Sequence, residues 1–220
     1  MTLTGVMETN PSPLLIINLK IVYNMACSTL NSGIQVCLCD RSMGGIKKVY
    51  LANVDDVDVA GVEASIDADG LITSIPLITG TGHYKFFTFD FRKNTGSMTS
   101  TLNVDENTGA SVSTDLVIDW RAMEYKKRKA MSAFLAGEFV AIVQDANGHY
   151  WFLGLNLPVS ASAGTGETGT ANTDANHYQI TLNDVSNDWP HEILVGSGAG
   201  EVNLSSILEA VSGDPCAEEE

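Results

Sequence analysis

Cysteine is the residue type best equipped for chemistry in this chain. Three of its four cysteines, Cys27, Cys37 and Cys39, fall within the stretch CSTLNSGIQVCLCD. Thiols so close together suit a structural zinc, a redox pair or a lipid anchor. Zinc needs four ligands, usually from two paired motifs, and no second cysteine pair follows. Cys216 lies far off in a polar tail, and none of His83, His149, His177 and His191 is spaced four from another. On a strand, residues two apart share a face, which puts the thiols of Cys37 and Cys39 beside each other with Gln35 in line. The reading that follows is a buried strand whose thiols act as small hydrophobes. Cysteines this sparse fit an intracellular assembly site better than a disulfide scaffold.

Two further stretches look chemical. GTGETG, Gly164 to Gly169, matches the dinucleotide-binding pattern letter for letter, but that pattern must open a helix whose N-terminus meets the pyrophosphate. Here it lies among Ser, Thr and Asn. DADG, Asp67 to Gly70, begins like a calcium loop but lacks the third acidic position and the terminal Glu, so a turn is expected. No GxSxG elbow, HExxH or SxxK occurs. His149 and His83 read as exposed turn residues. No catalytic residue, metal ligand or cofactor site is therefore expected. Carboxylates brought together only by folding remain the one route to an enzyme.

The elements that would position any site are mostly strands. GIKKVYLANV (Gly45 to Val54) is one, and VEASIDADGLITSIPL reads as two short strands around Asp69-Gly70. HYKFFTFDFRK alternates, with Tyr84, Phe86, Thr88 and Asp90 on one face and Phe87, Phe89 and Phe91 on the other. GSMTSTLNV and GASVSTDLVIDW flank DENT as a hairpin. FVAIVQDANGHYWFLG is a second, with Asn147-Gly148 offering the two positive-φ positions of a type I′ turn. Its near-continuous apolar runs call for cover on both faces. One helix stands out, WRAMEYKKRKAMSAFLAG, with Asp119 as N-cap and Gly137 as C-cap. Trp120, Met123, Lys127, Met131 and Phe134 form its stripe, Lys127 snorkelling. Residues 156–176 have no periodicity and read as a long flexible loop. HYQITLNDV and HEILVG return to strand, and a short helix is expected near Leu204 to Val211. The fold expected is mainly β with one flanking α-helix, a β-sandwich or barrel.

Composition bounds the function. Hydrophobic residues make up 44% of the 220 residues and charged ones 18%, against roughly a quarter in an ordinary soluble domain. Such a surface calls for partners, and an obligate oligomer supplies them. The net charge of −15 argues against binding nucleic acid through phosphate neutralisation. It is also uneven. Arg121, Lys126, Lys127, Arg128 and Lys129, with Glu124 as the one acid before Leu135, make a local +4 that leaves −19 elsewhere. A basic patch on an acidic body suits head-to-tail pairing of copies, and these five residues are the candidate inter-subunit contact.

At the N-terminus the apolar run Leu14 to Val22 is broken by Asn18 and Lys20, too short for a membrane span, and no positive charge precedes it, so no secretory signal is expected either. NMAC loosely resembles a lipoprotein cleavage site at Cys27, with Asn24 where an apolar residue belongs. Met25 is a candidate start. The expected organisation is an extension over residues 1–25, a β-rich domain over 26–196 and a Gly-rich linker with an acidic tail over 197–220.

The ordered set ACSTLNSGIQVCLCDRSMGGIKKVYLANVDDV, FTFDFRKNTGSMTSTLNVDENTGA, the basic helix, FVAIVQDANGHYWFLGL and HYQITLNDV resembles a family of small virion proteins of tailed phages of Bacteroidetes, crAss-like phages among them. These are similar to tail-tube proteins. The resemblance runs from Ala26 to Val195, and GGIKKVYLAN and NGHYWFLG are its most specific parts. It implies a sandwich or barrel of tail-tube type that stacks as rings around the DNA passage. It further implies no enzymatic activity and no cofactor. The implied partners are further copies of the chain and other virion proteins, with DNA passing non-specifically through the lumen and no membrane. Localisation in the virion, after assembly in the bacterial cytoplasm, follows from the same resemblance. On this reading, residues 156–176 order on the next ring. The rival reading is a cell-surface or periplasmic binding module, lipidated at Cys27.

Overall fold

The computed structural model describes residues 33–34, 42–78, 85–106 and 109–209. The chain divides after Asp40, and every element below belongs to the second unit, Arg41–Glu220. All four cysteines, the N-terminal apolar run, Met25, His83 and Tyr84 lie outside the described residues.

Nine strands are described: β1 (Ile46–Asn53), β2 (Phe87–Asp90), β3 (Gly96–Asp105), β4 (Gly109–Arg121), β5 (Phe139–Asp145), β6 (Tyr150–Leu153), β7 (Ser160–Glu167), β8 (His177–Ser186) and β9 (His191–Glu192). Three short helices, α1 (Val59–Ala64), α2 (Tyr125–Phe134) and α3 (Leu204–Ile207), accompany them. The strands form two antiparallel sheets, a five-stranded one in the order β2-β1-β5-β6-β9 and a four-stranded one in the order β3-β4-β8-β7. Both sheets keep open edges, so this is a β-sandwich and not a barrel.

Alternation explains the stacking. On β4 and β8 the even-numbered residues Leu116, Ile118, Ile180 and Leu182 point inward and share one core with Val49, Leu51, Ala141 and Val143 of the five-stranded sheet. The reverse face of that sheet carries Tyr50, Ala52, Val140, Ile142 and Phe152. These join Val62 of α1, Ile72, Ile75, Phe86, and Val202, Leu204 and Ile207 at and before α3 in a second core. The five-stranded sheet is thus covered on both sides, which is why Phe139 to Val143 of β5 and Val49 to Ala52 of β1 read as apolar runs. Each aliphatic side chain so buried contributes about 1.5–3 kcal/mol. The Phe-rich segment divides as its alternation predicts: Phe86 enters the second core, while Phe89 and Phe91 pack on the first. Within it only Phe87–Asp90 are strand.

Several expectations need correction. The helix begins at Tyr125 rather than after Asp119, because Trp120 continues the inward alternation of β4 opposite Tyr178. The break comes at Ala122, whose φ of 65° no helix accepts. There the backbone N–H of Ala122 donates to the Asn176 carbonyl at 2.8 Å, and that of Met123 to Asn176 Oδ1 at 3.0 Å. Gly137 lies beyond the C-cap, Leu135; a Cβ at 137 would sit 2.2 Å from the Phe139 ring, so glycine serves close packing there. The segment opening VEASIDADG is helical, not a strand: Asp58 caps α1 by accepting from the Gly61 N–H at 3.1 Å, and Val62 is buried. Asp67 to Gly70 form the expected turn, Asp67 Oδ1 accepting the N–H groups of Asp69 and Leu71 at 2.9 Å each.

The turn between β5 and β6 is not type I′, since only Gly148 has positive φ and Asn147 does not. Instead Asp145 Oδ1 accepts the N–H groups of Asn147, Gly148 and His149 at 2.8, 2.7 and 2.9 Å. Burial alone would raise the Asp145 pKa, but these donors outweigh it and hold the group below the usual carboxylate range. The loop expected over residues 156–176 contains β7, an eight-residue strand paired to β8 with a bulge between Ala161 and Ala163. Its order thus comes from β8 of the same chain, not from another ring. Composition concealed it because a strand of Ser, Ala and Gly is held by its backbone ladder and shows no hydrophobic alternation. The boundary expected at Gly196 falls inside packed structure, with Val202, Leu204 and Ile207 buried in the second core.

Candidate functional site

The four-stranded sheet positions the surfaces with most capacity for binding. Its two edge strands are long, ten residues in β3 and eight in β7, whereas the edges of the other sheet, β2 and β9, have four and two. Every residue of β7 is exposed. Neither β3 nor β7 carries Lys or Pro, the usual guards of an open edge. Since antiparallel neighbours alternate, the two outer strands of a four-stranded sheet run in opposite directions. The outward face of this sheet is polar: Ser97, Thr99, Thr101, Ser111, Ser113, Asp115, Thr181 and Asn183 lie on it. Asn183 Nδ2 donates across the face to Asp115 Oδ1 at 2.7 Å and to Ser113 Oγ at 2.9 Å. Its one strong cation is Arg121, at the end of β4.

Beside β7 lies α2, fixed to the sandwich by aromatic packing. Phe134 stacks on Trp120 with centroids 6.3 Å apart and planes at 9°, and meets Phe139 edge-on at 5.3 Å. Between helix and strand runs a groove of about 400 Å³ with Met131, Phe134, Leu135, Tyr178 and Ile180 in its lining and Arg128 at its rim. The small residues of β7 hold it open, and a Cβ at Gly166 would stand 2.8 Å from the Tyr178 ring. GTGETG therefore belongs to an edge strand and the turn after it, with no helix following.

The five expected contact residues divide. Arg121, Lys126, Arg128 and Lys129 are exposed. Lys127 is half-buried: its Nζ donates to the Arg121 carbonyl at 2.7 Å and pairs with Glu124 at 3.1 Å, so it ties α2 to β4. Lys126 Nζ lies 5.9 Å from the Tyr125 ring centroid. The exposed edges and the groove had little sequence signal, because β7 was hidden by its composition.

Two acid–base features stand apart from the groove. His149 Nδ1 lies 2.5 Å from Glu192 Oε1 at the surface, and that hydrogen bond raises the His149 pKa above its usual value. No nucleophilic side chain is hydrogen-bonded to this ring among the described residues. Asp184 is buried on the inner face of β8, where loss of water pushes its pKa up to about 6; the Gly154 backbone N–H only partly offsets this. It does not line the groove between α2 and β7. Among the described residues no group of three His, Cys, Asp or Glu could hold a metal ion, and no helix is long and apolar enough to cross a membrane. The geometry offers edges and a groove for another polypeptide. No family model, curated protein or solved structure matches this chain.

Proposed function

We propose that this chain is a structural subunit of a phage virion that assembles with copies of itself into a ring or tail tube around the DNA passage. The observation that carries the reading is the pair of long edges without Lys or Pro on the four-stranded sheet, β3 on one side and β7 on the other. Because they run in opposite directions, β7 of one copy can continue the antiparallel alternation with β3 of the next. That joint is heterologous, and a heterologous joint closes into a ring when the rotation from copy to copy divides a full turn. The polar outer face of the same sheet suits a lumen wall. With hydroxyl, amide and carboxylate groups and only Arg121 as a strong cation, it gives phosphates little to hold.

Light scattering over a concentration series, with electron micrographs of the same sample, tests the reading. Rings or short tubes are expected, and a monomer at every concentration would overturn it in favour of a surface binding module. A second test addresses the basic helix. Reversing the charges of Lys126, Arg128 and Lys129 to Glu should weaken assembly more at low salt than at high, since exposed charges are screened over roughly 10 Å at 0.1 M. Assembly that ignores both the reversal and the salt would assign these residues to a merely solvated face.

A further inference from the structure

The β3–β4 hairpin reaches beyond the sandwich. β8 stops at Ser186, opposite Val112, so the ladder from Asn103–Ser111 to Asp105–Gly109 has no third strand beside it. Val104, 77% exposed, lies on this two-stranded arm and Leu102, 52% exposed, at its base, both on the face that continues the sandwich interior. Its tip bears Asp105 and Glu106. An apolar face ending in acids is costly to leave in water and has a complement on the same molecule. The α2–β7 groove has an apolar lining, with Leu135 85% exposed, and basic side chains at and near its rim, Arg128 foremost. The two cannot meet within one copy. The arm extends from the start of β4 and α2 follows its end, and β4 is thirteen residues long, about 40 Å of strand. The groove also borders β7, the edge opposite β3.

From this placement we infer that the arm of one copy docks into the α2–β7 groove of a second copy, Leu102 and Val104 meeting Met131 and Leu135 while Glu106 faces Arg128. The contact is heterologous and joins opposite ends of the sheet, so it runs along the strands rather than across them. It rests on the ring reading above and adds the joint between successive rings: edges close each ring, and arms stack one ring on the next.

The test uses the full-length chain and two single substitutions, Val104→Asp on the arm and Leu135→Asp in the groove. Both positions are largely exposed, so stability should change little. Each substitution should weaken every stacking contact roughly thirtyfold or more. Multiplied over the copies of a ring, that leaves single rings where the unsubstituted chain gives tubes. A charge exchange supplies an independent readout. Arg128→Glu should shorten the tubes, and adding Glu106→Lys in the same chain should restore them. Tubes of undiminished length from both Asp variants would overturn the arm-and-groove contact while leaving the ring reading intact. An unsubstituted chain that forms rings but never stacks them would do the same. A chain that stays monomeric at all concentrations would overturn both.

Discussion

Phe134→Ala is expected to destabilise the fold by about 3–5 kcal/mol, the usual loss on truncating a buried aromatic side chain. Phe134 is 3% exposed and meets Trp120, Phe89 and Phe139 at centroid separations between 5.3 and 6.3 Å. It is the one buried residue of a helix that otherwise touches the sandwich through the half-buried Ala130 and Met131 and through the Lys127 bond to Arg121. Removing the ring therefore opens a cavity and also frees the helix that forms one wall of the groove. For a chain of this size the loss corresponds to a fall in Tm of roughly 10 °C. Urea unfolding followed by Trp fluorescence measures it directly, since Trp120 stacks on the deleted ring. Phe134→Leu should cost less, because most of the volume is kept. An Ala variant with an unchanged urea midpoint would mean that α2 is not held against the sandwich as described. The same variant should lose self-association at temperatures where it remains folded, because the groove has lost its wall.

Asp184→Asn should act in the opposite direction. Asp184 is 3% exposed, faces inward beside Leu182, and has one oxygen without a hydrogen-bond partner. Its folded pKa of about 6 stands above the ordinary 3.8, so the folded state binds the proton more tightly than the unfolded one. The stability this provides is complete below about pH 4, falls as pH rises, and is gone above about pH 6 to 7. The displacement of roughly two units sets an upper limit near 3 kcal/mol for the decline. Asn keeps the shape and cannot ionise. The variant should match the parent below about pH 4 and exceed it at pH 7.5. Asp145, whose pKa is held low, gives stability of the opposite pH sense, present above the ordinary carboxylate pKa and lost as acid is added. The difference between parent and variant at each pH removes that background. A difference that stays constant from pH 4.5 to 7.5 would show that Asp184 does not titrate in this range.

Much of the scaffold was legible in local pattern. The alternation in Gly109–Arg121 is that of β4, and the apolar run in Phe139–Asp145 is that of a strand covered on both faces. The hairpin around residues 105–109 falls where its turn residues lie. Three of the errors share a cause: each is a place where local preference competed with a distant partner. Trp120 suits the helical stripe as well as the strand, and pairing with Tyr178 decides for the strand. Residues 160–167 look like a linker, and the ladder to β8 makes them an edge. Val202, Leu204 and Ile207 follow a Gly-rich stretch, yet the second core claims them.

The sequence by itself determined a β-rich protein with a basic segment on an acidic chain and a surface poor in charge, because alternation, turn residues and composition are properties of neighbours along the chain. Tertiary structure alone decided that the four-stranded sheet has two long open edges, that Phe134 is the buried residue of the helix, and that an apolar arm and an apolar groove lie apart on the molecule. Those features depend on which residues meet across sixty or more positions, as Asn183 and Asp115 do, and spacing carries no record of such meetings.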